Sequence, residues 1–322
     1  MYRKLNLTAE RIEAVLRQRN AAASVVGGRV LPGFVEMLLR PEGGTKVSQV
    51  KALQADIALA VGNSNIRIAQ SGSHLAIQIG RESRQPVRLA ALMSQLDHLP
   101  RYTAVLGLSE DGAPLLARLS APDVAHVLIS GTTGSGKTCL AQSALISLCQ
   151  THRPYELGVI VIDPKRRDHD AFGRAVERHL LLPPARATED AVSALARVIE
   201  AMQRRAIQTE PMPRIVVFVD ELADLCQTGG ASVLDPLTRI AQRGRESGIH
   251  LLACTQKPSA KAIGPLLKAN LPLRLVGRVT SAEDARVASG MAGSGAEKLS
   301  GAGDFIAVSG GRAIRFQAAM PL

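Results

Sequence analysis

Apolar and polar positions alternate in two different ways in the first third of the chain. Residues 1–20 and 47–62 carry apolar side chains at helical intervals among polar ones. Three short runs between turn residues favour strands instead. These runs are FVEMLL, NIRIAQ and HLAIQIG. Pro86 and Pro100 follow them and are typical of a boundary. The pattern predicts a small α/β domain over residues 1–105.

From about residue 106 onward, short apolar runs alternate with helical patterns. The runs are residues 124–130, 157–163, 214–220, 250–255 and 273–279. This alternation predicts a parallel sheet covered by helices, in a second α/β domain over residues 106–322. Loops at the carboxyl edge of such a sheet build the functional site. The polar residues expected at that edge are Asp163, Asp220, Glu221, Thr255 and Gln256.

The loop after the first of these strands, GTTGSGKT, fits the pattern G-x-x-x-x-G-K-[ST] between a strand and a helix. Its glycines allow successive N–H groups to converge on a phosphate at the start of the helix. Lys137 adds a charge for the β- and γ-phosphates, and Thr138 offers a hydroxyl to Mg²⁺. The alternative is a glycine-rich turn. The predicted ATP ligands are Gly131, Thr132, Thr133, Gly134, Ser135, Gly136, Lys137, Thr138 and Cys139.

Two further strand ends carry candidate chemistry. Asp220 can hold Mg²⁺ and Glu221 can activate a water for attack on the γ-phosphate, although acidic residues also favour helix N-termini. Two adjacent carboxylates favour a hydrolysing motor over a kinase. Gln256 can contact the γ-phosphate, or it is a helix-capping amide. Arg243 and Arg245 precede its strand, either as a solvated patch or as arginines that reach a neighbouring subunit's nucleotide.

Composition restricts the partners and the environment. A net charge of +11 and a pI near 10.0 favour nucleic acid first and an anionic membrane surface second. Aromatic residues make up 2% of the chain, so duplex phosphates are favoured over unpaired bases. No apolar stretch approaches a membrane span of about 18 to 20 residues, and the charged start differs from a signal peptide. A cytoplasmic protein with four reduced, structural cysteines is predicted.

Several segments resemble the motor of the FtsK/SpoIIIE DNA translocases. They are GTTGSGKT, the IDPK that ends at Lys165, VDELADL, GIHLLACTQKP, KANLPLRLVGRVTSAEDAR and the GAGD that ends at Asp304. The resemblance runs from about residue 28 to the C-terminus. It implies that residues 1–105 are similar to the family's α subdomain and residues 106–322 to its RecA-like ATPase β subdomain. It also implies a hexameric ring that uses ATP to pump double-stranded DNA through its pore.

The resemblance also implies roles for individual residues. Lys137 and Thr138 would bind nucleotide and Mg²⁺, Asp220 and Glu221 would form the Walker B pair, and Gln256 would be the sensor. Arg245 falls where the family has its trans-acting arginine. Three cations fall on segments that resemble pore loops touching DNA phosphates, which suits a pump indifferent to base sequence. They are Lys257, Lys268 and Arg286.

Departures from the family pattern keep other hypotheses open. Ala282 stands where the family often has a basic pore residue, and Leu222 replaces the phenylalanine that usually follows the acidic pair. The segment between Arg205 and Pro213 is much shorter than in chromosomal translocases of the family. No membrane spans or winged-helix domain are expected from this chain, so anchoring at a septum and polarity-directed sorting are not expected either. A type VII-like protein-secretion ATPase is the rival, and it would not need basic pore residues. A nucleotide-dependent scaffold is the third hypothesis.

Overall fold

The chain forms two compact units, Met1–Pro86 and Val87–Leu322. A computed structural model describes residues 2–31, 34–64, 66–71, 74–81, 86–164, 173–207 and 212–321. The division falls at Pro86, earlier than the predicted boundary near residue 105. The physical reason is that Val87–Arg88 pairs with the last strand of the larger unit.

The smaller unit packs helices on an antiparallel sheet. Its elements are α1 (Tyr2–Gln18), β1 (Ala23–Val30), β2 (Phe34–Pro41), α2 (Val47–Ala52), α3 (Gln54–Val61), β3 (Ile66–Ser71) and β4 (His74–Gly80). The strand order is β1-β2-β4-β3. The core includes Ile12, Leu16 and Ile77. The helix predicted over residues 47–62 is divided into two at Leu53. Strand β1 was not predicted, because most of its residues are exposed and it lacks a strand-like apolar pattern.

The larger unit contains the remaining helices and strands. They are β5 (Val87–Arg88), α4 (Leu89–Met93), β6 (Thr103–Ser109), β7 (Pro114–Arg118), β8 (Val127–Ser130), α5 (Lys137–Thr151), β9 (Leu157–Ile162), α6 (Gly173–Glu177), α7 (Thr188–Arg205), β10 (Arg214–Val219), α8 (Leu222–Gly229), α9 (Ala231–Arg243), β11 (Ile249–Thr255), α10 (Ala260–Ile263), α11 (Pro265–Ala269), β12 (Leu273–Val276), α12 (Ala282–Ser289), β13 (Asp304–Ser309) and β14 (Arg312–Met320). No helix among the described residues is long and apolar enough to span a membrane.

One mixed sheet organises the larger unit. Its parallel part has the order β12-β8-β11-β10-β9, and these are the five predicted strands. The sheet then continues with antiparallel strands beyond β12, in the order β13, β14, β6 and β7. The predicted parallel sheet is therefore only part of a larger mixed one. Gly310 and Gly311 turn the β13–β14 hairpin with φ values of 54° and 75°, a glycine pair that was available as a hairpin signal.

Helices cover both faces of the parallel strands. Along β8, Val127 and Ile129 face a core shared with α5, whereas Leu128 between them faces a core shared with α7, α8 and α9. Successive side chains of a strand point to opposite faces, so two apolar layers require continuous apolar runs. This explains why the predicted strands show no polar alternation, and it leaves the strand ends as the places for polar chemistry.

Two buried histidines lie at the amino ends of β8 and β11. Nδ1 of His126 accepts the backbone N–H of Leu251 at 3.0 Å. The guanidinium of Arg214 lies 2.8 Å from Nε2 of His250, whose Nδ1 is 2.9 Å from the carbonyl oxygen of Ala125. Since arginine can only donate, Nε2 of His250 accepts and its Nδ1 carries the proton. Both rings are therefore bonded as neutral imidazoles.

We expect these histidines to make the larger unit acid-sensitive. Burial, followed by the charge of Arg214, lowers the pKa of His250 to about 4, although the bond to Ala125 opposes this. Because His250 binds a proton more readily in the unfolded chain, the free energy of unfolding is highest above pH 6.5. It decreases as the pH falls, by about 3 kcal/mol at pH 4. Urea unfolding of the chain at pH 7 and pH 4.5 should show a smaller loss in His250→Asn. Equal losses would contradict the assignment.

Candidate nucleotide-binding site

The phosphate loop connects the buried strand β8 to the first turn of α5. Gly131, Gly134 and Gly136 adopt φ values of 148°, 79° and 100°, which disfavour other residues. A Cβ on Gly136 would also lie 3.0 Å from the backbone nitrogen of Gly303. The loop therefore favours glycine at these positions.

The ammonium of Lys137 lies against the phosphate loop. Its Nζ donates to the carbonyl oxygens of Gly131 at 2.8 Å and Thr132 at 3.0 Å, and the side chain is buried. Thr138 and Cys139 continue the first helical turn, where backbone N–H groups and the helix dipole favour anions. Sγ of Cys139 lies 4.0 Å from the carbonyl oxygen of Ala319. None of the four cysteines forms a disulfide, and burial raises the pKa of the Cys139 thiol.

A segment far along the sequence supports the phosphate loop from outside. The backbone N–H of Ala302 donates to the carbonyl of Gly134 at 3.1 Å, and that of Gly303 donates to the carbonyl of Ser135 at 2.9 Å. The GAGD motif, residues 301–304, therefore holds two carbonyl groups of the loop. Its part in the site is structural, and it was not predicted from the sequence.

Further hydrogen bonds hold the GAGD segment and the other side of the loop. Asp304 is buried and accepts both Nε and Nη2 of Arg315 at 2.9 Å, and it also accepts the backbone N–H of Ser300. On the other side of the loop, the carbonyl of Arg278 accepts both the backbone N–H and the hydroxyl of Thr132, at 2.9 and 3.0 Å. The loop is thus held by neighbours after β12 and before β13.

The acidic pair follows β10, as predicted. Asp220 and Glu221 are both buried, and the backbone N–H of Asp220 donates to the carbonyl of Ile162 at 3.0 Å. Glu221 has a left-handed backbone, with φ at 64° and ψ at 63°. Its Oε1 accepts the hydroxyl of Thr255 at 2.9 Å and the backbone N–H of Gln256 at 3.0 Å. The second carboxylate is therefore held by the end of β11.

Gln256 connects that strand end to the phosphate loop. Its Oε1 lies 3.5 Å from the hydroxyl of Thr133, at the limit of a hydrogen bond. Asp163, predicted at the same edge, is buried after β9, and its N–H donates to the carbonyl of Ala185. Because β8, β11, β10 and β9 are neighbours, their ends lie on one edge as expected. Lys165, noted for the family resemblance, lies outside the described residues.

Arg245 lies at the opposite edge of the sheet. It is exposed between α9 and β11, and its carbonyl accepts the N–H of Gly248 just before the strand begins. The seven residues of β11 separate it from Gln256, a span of about 20 Å at the usual rise per residue. Arg245 therefore cannot reach the phosphate loop of its own chain.

The three predicted DNA contacts stand in different settings. Lys257 is exposed in the loop after β11. Lys268 belongs to α11, where its Nζ donates to the carbonyl of Val287 at 2.7 Å. Arg286 belongs to α12 and donates twice to Glu283, at 2.7 and 3.0 Å. The prediction that all three stand in loops is wrong for Lys268 and Arg286, because each side chain is part of a helix and bonded there.

The arrangement fits a nucleoside triphosphate with Mg²⁺. Glycines at positive φ shape the phosphate loop, and Lys137 and the helix N-terminus supply positive charge for phosphates. Thr138 and Asp220 are the oxygen ligands suited to the metal, which would neutralise charge on the phosphates. Fold and site together define an α/β P-loop ATPase domain preceded by a smaller α/β domain, which confirms the predicted fold class.

Comparison with known families agrees with the site. The FtsK/SpoIIIE family model matches residues 89–210 and 207–260, and the FtsK alpha domain model matches residues 2–79. The chain belongs to the FtsK/SpoIIIE family, as the sequence motifs predicted.

Curated relatives cover nearly the whole chain. The DNA translocase FtsK of Sporosarcina ureae is 32% identical over 96% of this chain, and the DNA translocase SpoIIIE of Bacillus subtilis (strain 168) is 32% identical over 97%. In both alignments the chain spans 43% of the relative's length, so less than half of each relative corresponds to it.

Solved structures share the fold at lower identity. The pCW3 conjugation coupling protein TcpA, solved as a monomer with ATPgS, has a TM-score of 0.66 at 18% identity, with 98% of this chain and 95% of that chain covered. The cytoplasmic domain of the type VII secretion ATPase EccC of Thermomonospora curvata has a TM-score of 0.60 at 23% identity, covering 73% of this chain and 32% of that chain. These similarities establish the fold alone.

Proposed function

We propose that this protein is an ATP-driven double-stranded DNA translocase that works as a ring-shaped hexamer and grips duplex phosphates. The observation that carries the proposal is the end of β11. There Thr255 and Gln256 contact the carboxylate of Glu221, Gln256 approaches Thr133 of the phosphate loop, and an exposed Lys257 follows directly. The proposed sensor Gln256 and the proposed DNA contact Lys257 are thus consecutive residues.

ATP hydrolysis is assigned to the groups at the carboxyl edge. Lys137 would hold the β- and γ-phosphates, and Thr138 and Asp220 would hold Mg²⁺, which would neutralise charge on the phosphates. Glu221 accepts a proton from water as the water oxygen bonds to the γ-phosphorus and the bond to the ADP oxygen breaks. Burial of the Glu221 carboxylate supports this role, because a water-poor site strengthens its interaction with the reacting water.

A cluster of cations supports contact with phosphates. Burial, then the charge of Arg274 and then that of Arg286 lower the pKa of Lys268, which places two arginines within electrostatic range of this one ammonium. A phosphate anion at this cluster would relieve their repulsion. The ion pair of Arg286 with Glu283 is exposed on both sides, so a DNA phosphate can compete for the guanidinium. Lys257, Lys268 and Arg286 therefore remain the proposed DNA contacts.

The hexameric ring is supported by the position of Arg245. Since this arginine lies at the edge opposite its own phosphate loop, its proposed partner is the nucleotide of an adjacent subunit. In a ring each subunit presents one edge to the next, so a heterologous contact is repeated until the ring closes.

We expect duplex DNA to stimulate ATP hydrolysis, and Lys257→Ala to remove most of that stimulation while ATP binding stays unchanged. Loss of one phosphate contact should also reduce the slope of log affinity against log salt by about 0.9. The effect should not depend on the duplex sequence, because backbone phosphates carry no base information. Hydrolysis and duplex affinity measured from low to high salt test both expectations.

Lys298→Ala is the matched control, since Lys298 is an exposed lysine elsewhere in the same unit. If heparin stimulated ATP hydrolysis as much as duplex DNA does, Lys257 would be shown to bind polyanions in general rather than DNA. Stimulation by neither duplex nor single-stranded DNA would contradict a DNA motor and favour the related protein-secretion activity.

A further inference from the structure

The hydroxyl of Thr255 connects the carboxylate of Glu221 to the backbone of Lys257. Thr255 is fully buried at the end of β11. Its Oγ1 donates to Oε1 of Glu221 at 2.9 Å and accepts the backbone N–H of Lys257 at 3.1 Å. A threonine hydroxyl has one proton to donate and two lone pairs to accept with. One side chain therefore joins the proposed base to the first residue of the proposed DNA-contacting loop.

The backbone of Glu221 is strained, and the same contacts hold it. A left-handed conformation costs a non-glycine residue about 1 to 2 kcal/mol, and Glu221 adopts it at the start of α8, with φ at 64°. Such strain persists only where surrounding contacts enforce it. Here the hydroxyl of Thr255 and the N–H of Gln256 both bind Oε1 of Glu221. The position of the carboxylate thus depends on the two residues that immediately precede Lys257.

We propose that Thr255 is a positioning residue that restrains the Glu221 carboxylate until duplex DNA moves Lys257. The inference rests on the proposed function and adds a regulatory link to it. When no DNA is bound to Lys257, the Thr255 hydroxyl donates to Glu221 and accepts the N–H of Lys257. Oε1 of Glu221 is then held toward β11. A phosphate that draws Lys257 away shifts the N–H bonded to Thr255, which loosens the hydroxyl and releases the carboxylate toward the attacking water.

The link explains how DNA can control hydrolysis without contacting ATP. Residues 255–257 are consecutive, so displacement of Lys257 is transmitted through two peptide units. Gln256 lies between them, with its backbone on Glu221 and its side chain near Thr133. The same displacement therefore affects the base and the phosphate loop together. A ligand can shift such an equilibrium only by its differential affinity for the two arrangements, and the charge of Lys257 supplies that difference for DNA.

Thr255→Val tests the inference because valine has nearly the same shape but lacks both hydrogen bonds. We expect ATP hydrolysis without DNA to rise by about tenfold, the scale of one lost bond to a charged group. The ratio of DNA-stimulated to basal hydrolysis should fall toward one, and ATP affinity should stay within about twofold. Thr255→Ser keeps the hydroxyl and should retain most of the parental ratio.

Thr103→Val is the control, because the hydroxyl of Thr103 is also buried in the larger unit but has no hydrogen-bond partner among the described residues. It should leave the ratio unchanged. If Thr255→Val lowers basal and stimulated rates by the same factor, Thr255 has only a packing role and the inference is overturned. Absence of DNA stimulation in the parental protein would instead overturn the proposed function, and the inference with it.

Amide hydrogen exchange gives a second measurement on the unaltered protein, independent of how Thr255→Val folds. The backbone N–H of Gln256 donates to Glu221, and that of Lys257 donates to Thr255. Duplex DNA added to the ATP-bound chain should speed exchange at both of these amides. Unchanged or slower exchange at both amides would overturn the inference.

Discussion

Lys137→Ala should abolish ATP binding, whereas Glu221→Gln should retain binding and stall hydrolysis. Lys137 is the buried cation at the phosphate loop, bonded to the carbonyl oxygens of Gly131 and Thr132. Its removal leaves the triphosphate without its principal side-chain charge. Glutamine keeps the size of Glu221 and an oxygen for the Thr255 hydroxyl, but an amide cannot accept the proton of water, so turnover should fall by about 10²- to 10⁴-fold.

Titration with a fluorescent ATP analogue and steady-state hydrolysis separate the two effects. Lys298→Ala, an exposed substitution in the same unit, should match the parental protein in both measurements. Parental affinity in Lys137→Ala would remove the phosphate-loop assignment. Near-normal turnover in Glu221→Gln would show that another group activates the water.

The parallel strands and the carboxyl-edge residues could be predicted because each depends on local sequence. A strand buried on both faces requires a continuous apolar run, and parallel strands place their ends at one edge. Consequently the sequence alone was enough to assign Asp220, Glu221 and Gln256 to the edge that carries the phosphate loop. In the structure, the hydroxyl of Thr133 lies 3.5 Å from Oε1 of Gln256, whose backbone N–H is bonded to Glu221.

The supports of the phosphate loop could not be predicted in the same way. Thr132 is bonded to the carbonyl of Arg278, 146 residues away, and Ser135 to the backbone of Gly303. Backbone groups, which every sequence carries, make both contacts, and the Thr132 hydroxyl only adds a second bond to the same Arg278 carbonyl. Side-chain chemistry therefore gives little signal of the pairing. The antiparallel half of the sheet that brings residues 301–304 to the loop was also not predicted.

The helical positions of Lys268 and Arg286 were not predicted, for a different reason. Short helices such as α11, with five residues, have little periodicity to detect. In addition, the polar residues before α12 resemble a loop until its cap is seen, where the hydroxyl of Ser281 accepts the N–H of Asp284 at 3.0 Å. Charge alone therefore located these cations in sequence without indicating what they bind within the fold.

Arg245→Ala should reduce hydrolysis by about 10³-fold or more if Arg245 acts on the nucleotide of an adjacent subunit. Its exposed position at the amino edge of β11 gives it no access to its own phosphate loop. The loss should appear in the turnover number, with ATP affinity nearly unchanged, because the proposed contact is to charge that develops during reaction. Arg312→Ala, which removes an exposed arginine from the β13–β14 turn, is the control.

Mixed assemblies distinguish a role between subunits from a role within one. Arg245→Ala subunits retain a complete phosphate loop, and Lys137→Ala subunits retain the arginine, so each type lacks what the other supplies. Where an Arg245→Ala subunit receives the arginine of a Lys137→Ala neighbour, one competent site forms, and mixing two inactive proteins should restore part of the activity. The recovery should follow the proportions of the two proteins and be largest where unlike neighbours are most frequent. Verified mixed rings without any activity would mean that Arg245 does not complete a neighbour's site, and its exposed position would then be that of a solvated surface arginine.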